Sequence, residues 1–225
     1  GVKMEAYLDN SATTRVDAQV QELMKKLMDV DFGNPSSRHQ KGVVAEGYIK
    51  EARQKIAATL KVDPKELIIT SGGTESNNMA LIGTALAAKR KGNHIITTAV
   101  EHPSVKATAS FLEEQGFRIT FLSVDSRGQI SLEELKEALT PDTILVSIMY
   151  VNNEIGTIQP VEEAAKLVHA TVPGAVFHVD AIQAYGKVVI RPKQQGIDLL
   201  SVSSHKFHGP KGAGFLYCSS KVNLH

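Results

Sequence analysis

The sequence predicts a three-layer α/β domain, a mostly parallel seven-stranded sheet with helices on both faces. Three observations carry this. Short runs rich in β-branched and aromatic residues alternate with longer amphipathic stretches over about 150 residues. No repeat, low-complexity tract or Pro/Gly linker divides that alternation. Polar or ionisable residues gather just after five of the runs, the place where open α/β sheets bind their ligands.

Residues 1–15 read as an N-terminal arm and 16–225 as the domain, with helical patterns at 17–28 and 40–60 covering the sheet. Leu67–Thr70 is the first strand, followed by Ser71-Gly72-Gly73 and a helix over 76–91. His94–Ala99 is the second, ending at Glu101-His102, and Pro103 suits the first turn of a helix over 104–115. Phe117–Val124 alternates apolar and polar residues, and Ser131 can cap a helix over 131–139. Ile144–Val151 is almost wholly apolar, as a strand covered on both faces should be, and a helix over 161–172 follows Pro160. Ala175–Asp180, Asp198–Val202 and Ala213–Tyr217 complete the sheet.

Composition narrows the function. At 225 residues and 42% apolar, with 25 basic against 24 acidic side chains, the chain is neither disordered nor a coiled coil. A net charge of +1 without basic blocks argues against nucleic acid or an anionic membrane as partner, and points to a small molecule. The greasiest run, Ile144–Val151, is far short of the ~20 residues of a membrane span. The single cysteine, Cys218, excludes an internal disulfide and a multi-thiolate metal site, so no metal and a reducing, cytoplasmic compartment are expected.

The residues after the strands suggest chemistry. Ser71-Gly72-Gly73-Thr74 between a strand and a helix suits one phosphate, because glycines admit the anion to the free N–H groups of the helix start and Thr74 adds a hydroxyl. A tight turn with Thr74 or Ser76 as N-cap fits the same letters equally well. The two common nucleotide signatures, G-x-x-x-x-G-K-[ST] and G-x-G-x-x-G, are absent. Lys206 is one of 18 lysines, yet it follows a buried strand between His205 and His208, where desolvation and positive neighbours free an amine to attack a carbonyl. Asp180 ends a central strand, where a carboxylate requires compensation by N-cap duty toward 181–183 or by a cationic ring nitrogen. His102 divides between helix-start residue and stacking or proton-transfer group. A phosphate cradle, a lysine carbonyl trap, a buried acid and a flat histidine together match the requirements of pyridoxal 5′-phosphate.

Seven segments also resemble the cysteine desulfurases, pyridoxal 5′-phosphate enzymes of the class V aminotransferase group. They are Tyr7-Leu8-Asp9-Asn10-Ser11-Ala12-Thr13-Thr14, Gly33-Asn34-Pro35-Ser36-Ser37, Thr70-Ser71-Gly72-Gly73-Thr74-Glu75-Ser76-Asn77-Asn78, Glu101-His102, 151–156, 178–184 and 203–212. The resemblance implies that Lys206 forms a Schiff base with the cofactor, Asp180 pairs with the pyridine nitrogen, and His102 stacks on the ring and moves protons. It further implies that Gln183 bonds the phenolic oxygen, that Asn153 holds ring or substrate carboxylate, and that Gly73, Thr74, Ser203 and His205 bind the phosphate. The implied reaction removes sulfur from L-cysteine, giving alanine and an enzyme persulfide, in a homodimer that serves sulfur-acceptor or scaffold proteins of iron–sulfur cluster assembly. In this family the sulfur-accepting cysteine and the substrate-gripping arginine lie beyond the matched segment. The chain is therefore expected to be the large domain without its C-terminal small domain, and Cys218 a packing residue. A selenocysteine lyase-like enzyme and a non-catalytic cofactor-binding fragment are the alternatives.

Overall fold

The computed structural model describes residues 39–203 and 213–222, with side chains from residue 46 onward. The expected arm at 1–15, the helix at 17–28, and both His205 and Lys206 lie outside the described residues. In chain order the elements are α1 His39–Leu60, β1 Leu67–Thr70, α2 Gly73–Ala88, β2 His94–Thr98, α3 Pro103–Glu114 and β3 Arg118–Leu122. Next come α4 Leu132–Ala138, β4 Thr143–Met149, a hairpin of β5 Val151–Asn152 and β6 Thr157–Ile158, and α5 Val161–Thr171. β7 Val176–Asp180, a single helical turn α6 Pro192–Gln195, β8 Leu199–Ser203 and β9 Gly214–Cys218 follow.

The seven expected strands form one sheet in the order β1-β9-β8-β7-β4-β2-β3, each within two residues of its expected bounds. The pairs from β8 to β3 are parallel, whereas β9 runs antiparallel to both neighbours. A helix crossover separates parallel neighbours, as their geometry requires. The hairpin was not anticipated. Tyr150 still donates to Asp180 O at 2.9 Å, but Val151 leaves the sheet, and the turn closes at Gly156 with φ 67° and a bond from its N–H to Asn152 O. An apolar run carries no mark of the residue at which its strand ends.

Two apolar layers sandwich the sheet. Ala52, Ile56 and Leu60 of α1, Leu135 of α4 and Val168 of α5 pack on one face, and Met79, Leu81 and Ile82 of α2 with Val105 and Leu112 of α3 on the other. The two-residue period of a strand feeds both: in β9, Phe215 and Tyr217 join the first layer and Leu216 and Cys218 the second. Cys218 is thus a buried packing residue, as expected. Each fully buried aliphatic or aromatic side chain contributes about 1.5–3 kcal/mol. Gly214 is a close approach: a Cβ there would lie 2.7 Å from Gly72 C and 2.8 Å from Thr70 Oγ1. Glycine at the start of β9 therefore lets the sheet press against the loop that leads into α2.

The α2-facing side of the sheet also holds a polar rung. His178 on β7 is fully buried and its two ring nitrogens meet Ser147 Oγ on β4 at 2.7 Å and Ser201 Oγ on β8 at 2.9 Å. Burial pushes its pKa down to about 3, so the imidazole is neutral and ties three strands together.

Candidate active site

Strands β2, β4 and β7 are neighbours, and their parallel course brings Glu101-His102, Met149 and Asp180 to the carboxyl edge of the sheet. Met149 stands opposite Asp180 in the β4–β7 register.

Asp180 is 3% exposed. Its Oδ1 accepts from the Ile182 N–H at 3.0 Å and its Oδ2 from Asn77 Nδ2 at 3.0 Å. The N-cap expectation thus describes one oxygen only. Burial pushes the carboxyl above the usual range, while the two hydrogen bonds and the nearby His102 pull it back. Asn77 belongs to the first turns of α2, and its buried Oδ1 has no partner among the described residues. Sequence reasoning missed Asn77, since only the crossing of α2 over β7 joins residues 103 positions apart.

The start of α2 departs from both N-cap expectations. Gly72 is the cap, with no side-chain cap hydrogen bond among the described residues. Thr74 is exposed, while Ser76 is turned inward to Thr70 Oγ1 at 2.7 Å. A Cβ on Gly73 would collide with the Ile182 side chain, so glycine allows the helix to begin directly against the segment after β7. The N-terminus of a helix is a place where an anion can be held.

Glu101 is the second buried acid, and the sequence analysis assigned it no role. Its Oε2 accepts from Thr98 Oγ1 at 2.6 Å and from the Met149 N–H at 2.9 Å, while buried Oε1 has no partner among the described residues. Burial pushes its pKa up to about 8, with Asp180 adding to the rise, so at neutral pH the proton resides on the side chain. Unfolded Glu101 ionises near its ordinary 4.5, so between that pH and about 8 the unfolded chain has lost a proton that the folded chain keeps, and stability falls as pH rises. Glu101→Gln keeps an acceptor for both donors and removes this penalty. Denaturant titrations of the cofactor-free protein should show it about 3 kcal/mol more stable than wild type at pH 7 and equal near pH 4. Parallel pH profiles for the two proteins would show that Glu101 is ionised.

His102 is exposed and caps α3, its Nδ1 accepting from the Ser104 N–H at 3.1 Å. The helix-start reading therefore holds, and the ring remains accessible at the edge beside Asp180. Asn153, in the hairpin turn, donates through Nδ2 to Gln183 Oε1 at 2.6 Å, joining two residues that the sequence left 30 apart. Ser203 ends β8 opposite Gly214.

The described residues fit a pyridoxal phosphate. The exposed Thr74 hydroxyl at the N-terminus of α2 suits a phosphate, and Gln183 and Asn153 supply carboxamides for a phenolic oxygen. Asp180, buried with acceptor capacity left over, suits a protonated ring nitrogen. Among the described residues no group of His, Cys, Asp and Glu side chains could hold a metal ion, and no helix is long and apolar enough to cross a membrane.

Known proteins resemble this chain over nearly its whole length. The putative cysteine desulfurase IscS 1 of Bacillus subtilis is 51% identical over 218 residues, a match covering 97% of this chain and 57% of that protein. Cysteine desulfurase IscS of Dictyoglomus turgidum is 49% identical, covering 100% of this chain and 56% of that one. The chain thus spans a little over half the length of these relatives. Among solved structures a NifS-like protein superposes with a TM-score of 0.76 at 43% identity, over 93% of this chain and 57% of its own. SspA in complex with cysteine gives 0.73 at 39%, over 94% and 60%. Residues 6–224 match the family model of aminotransferase class-V, and with the sheet order, the buried Asp180 and the glycine-started helix in the same chain, this protein belongs to the aminotransferase class-V family.

Proposed function

We propose that this chain is the cofactor-binding part of a pyridoxal 5′-phosphate-dependent cysteine desulfurase, which takes sulfur from L-cysteine and leaves alanine. The observation that carries the reading is Asp180, a buried carboxylate fixed by Asn77 and Ile182 where a ring nitrogen needs an anion. Its support is the similarity to three curated desulfurases at 46–51% identity. Residues 16–225 are the large domain in this proposal, and the remaining length of the relatives corresponds to a small domain.

The bound cofactor supplies an electron sink when the substrate's α-proton is removed. Asp180 would pair with the ring nitrogen of that cofactor and favour its protonated form, since a buried carboxylate acts where solvent screens it little. With Glu101 neutral, Asp180 would be, among the described residues at the β2–β4–β7 edge, the carboxylate available to the ring nitrogen. His102, exposed at the same edge, would stack on the ring and exchange protons through its imidazole. Gly73, Thr74, Ser203 and His205 would hold the phosphate, and Lys206 Nζ would be the covalent anchor and take the substrate's α-proton. A homodimer, a cytoplasmic setting, and sulfur-acceptor or scaffold proteins of iron–sulfur cluster assembly belong to the same proposal.

The test adds pyridoxal 5′-phosphate to purified protein. A visible band that Lys206→Ala removes is expected, and with the C-terminal part of a relative's length supplied, cysteine plus dithiothreitol should yield alanine and sulfide. Product from selenocysteine alone would reassign the substrate. A band without product from either amino acid would reduce the protein to a binding module, and no band at all would end the proposal.

A further inference from the structure

Lys187 has no part in the reading above, yet its Nζ donates to Asn153 Oδ1 at 2.8 Å. Asn153 Nδ2 in turn donates to Gln183 Oε1. The local backbone sets this up. After β7 the chain makes a helical turn, with Tyr185 N bonded to Ala181 O at 2.9 Å and Val188 N to Ala184 O at 3.1 Å. Gly186, at φ 86°, ends that turn between Gln183 and Lys187, and Asn153 from the β5–β6 hairpin bridges the two side chains.

The bridge has a polarity. Two carboxamides can bond each other in either sense, amide to carbonyl or the reverse, because each carries an acceptor at one corner and a donor at the other. An ammonium can only donate. Lys187 therefore selects the Asn153 carbonyl, so the Asn153 NH2 faces Gln183, and Gln183 must answer with its own carbonyl. Gln183 Nε2 is then the atom left to donate elsewhere. In the opposite sense Gln183 would present its carbonyl, which repels an anionic oxygen.

We propose that Lys187 is a positioning residue that polarises the Asn153–Gln183 amide pair, so that Gln183 presents a hydrogen-bond donor to the anionic phenolic oxygen of a pyridoxal ligand. The role rests on the functional reading above. It makes a solvent-facing lysine, outside the site proper, the element that decides which end of Gln183 the ligand meets.

The experiment compares wild type, Lys187→Met and Lys187→Arg, with Gln183 intact and in a Gln183→Leu background, after loading with pyridoxal 5′-phosphate. Asp180, Glu101, Glu75, His102, Lys106 and Glu154, ionisable groups at this edge and hairpin among the described residues, stay constant throughout. The quantity followed is the pH at which the visible band of the bound cofactor titrates. Loss of a donor to the phenolic oxygen should raise that pH in Lys187→Met by about one unit, the scale of one hydrogen bond to a charged group. Lys187→Arg should restore the wild-type value, and Lys187→Met should shift nothing further once Gln183 is Leu. An equal shift in both backgrounds would mean that the lysine charge acts directly on the cofactor and would overturn the proposal, as would no shift at all. The cofactor-free protein gives a separate readout: the side-chain amide resonances of Asn153 and Gln183 in ¹⁵N spectra should both move in Lys187→Met. Unmoved resonances refute the relay even if the cofactor binds. Wild-type protein that takes up no cofactor fails the functional reading instead, while the amide spectra still decide the polarity of the pair.

Discussion

Asp180→Asn is expected to weaken the site and strengthen the fold. Asn keeps an acceptor for the Ile182 N–H, and a carboxamide can still meet the Asn77 side chain, so the local hydrogen bonds survive. What disappears is a buried charge, which the cofactor-free protein holds at a cost, as the raised pKa of the carboxyl records. Thermal melts of the cofactor-free variant should therefore show a higher Tm than wild type at neutral pH. With the cofactor the sign reverses. A cationic ring nitrogen that loses its buried partner costs about 3–5 kcal/mol, which corresponds to a loss of about 10²- to 10⁴-fold in cofactor affinity or desulfurase rate. Equal cofactor affinity in the two proteins would remove Asp180 from the site. A variant less stable than wild type without cofactor would show instead that the Asp180 charge organises the β7 end.

The largest effect on stability is expected from His178. His178→Ala removes a fully buried ring and strands the hydroxyls of Ser147 and Ser201 between three strands, which combines a cavity with two unsatisfied groups. A loss of about 3–5 kcal/mol in urea unfolding is expected. The same side chain makes the wild type sensitive to acid. Its folded pKa of about 3 lies below the unfolded 6.5, so its contribution is complete above pH 6.5 and is lost as pH falls toward 3. At pH 5 this one group should have removed about 2 kcal/mol relative to pH 7. His94, held between Thr143 Oγ1 and Thr120 Oγ1 with its pKa down to about 4, adds in the same direction. His178→Ala should therefore start lower and lose less on acidification. An acid profile with the wild-type slope would show that the imidazole already titrates in the folded protein.

The contrast between these histidines and His102 shows where the sequence was legible. His102 stood out because it follows a strand and precedes Pro103, a position that exposes a side chain at a sheet edge. His178 lies two residues before Asp180 on the same strand, and nothing in its neighbours distinguishes a bridging core imidazole from a ligand-facing one. Asp180 was recognisable for a similar local reason, being an acid at the end of an apolar run. Its partner Asn77 was not, because it sits in a helix whose placement depends on the whole sheet. Gln183 and Asn153 entered through resemblance, and the structure joins them in one hydrogen bond together with a lysine that no motif included.

By itself the sequence determined the strands, their helical covers and the sheet edge at which polar residues gather. Those follow from periodicity and from breakers such as Gly72 and Pro103, which act over a few residues. The tertiary structure alone decided that β9 inserts antiparallel between β1 and β8, that Asn77 reaches Asp180, and that Glu101 is buried deeply enough to keep its proton. Pairing order, desolvation and the sense of an amide bridge are properties of groups distant in the chain, and they come into being only when the sheet closes around them.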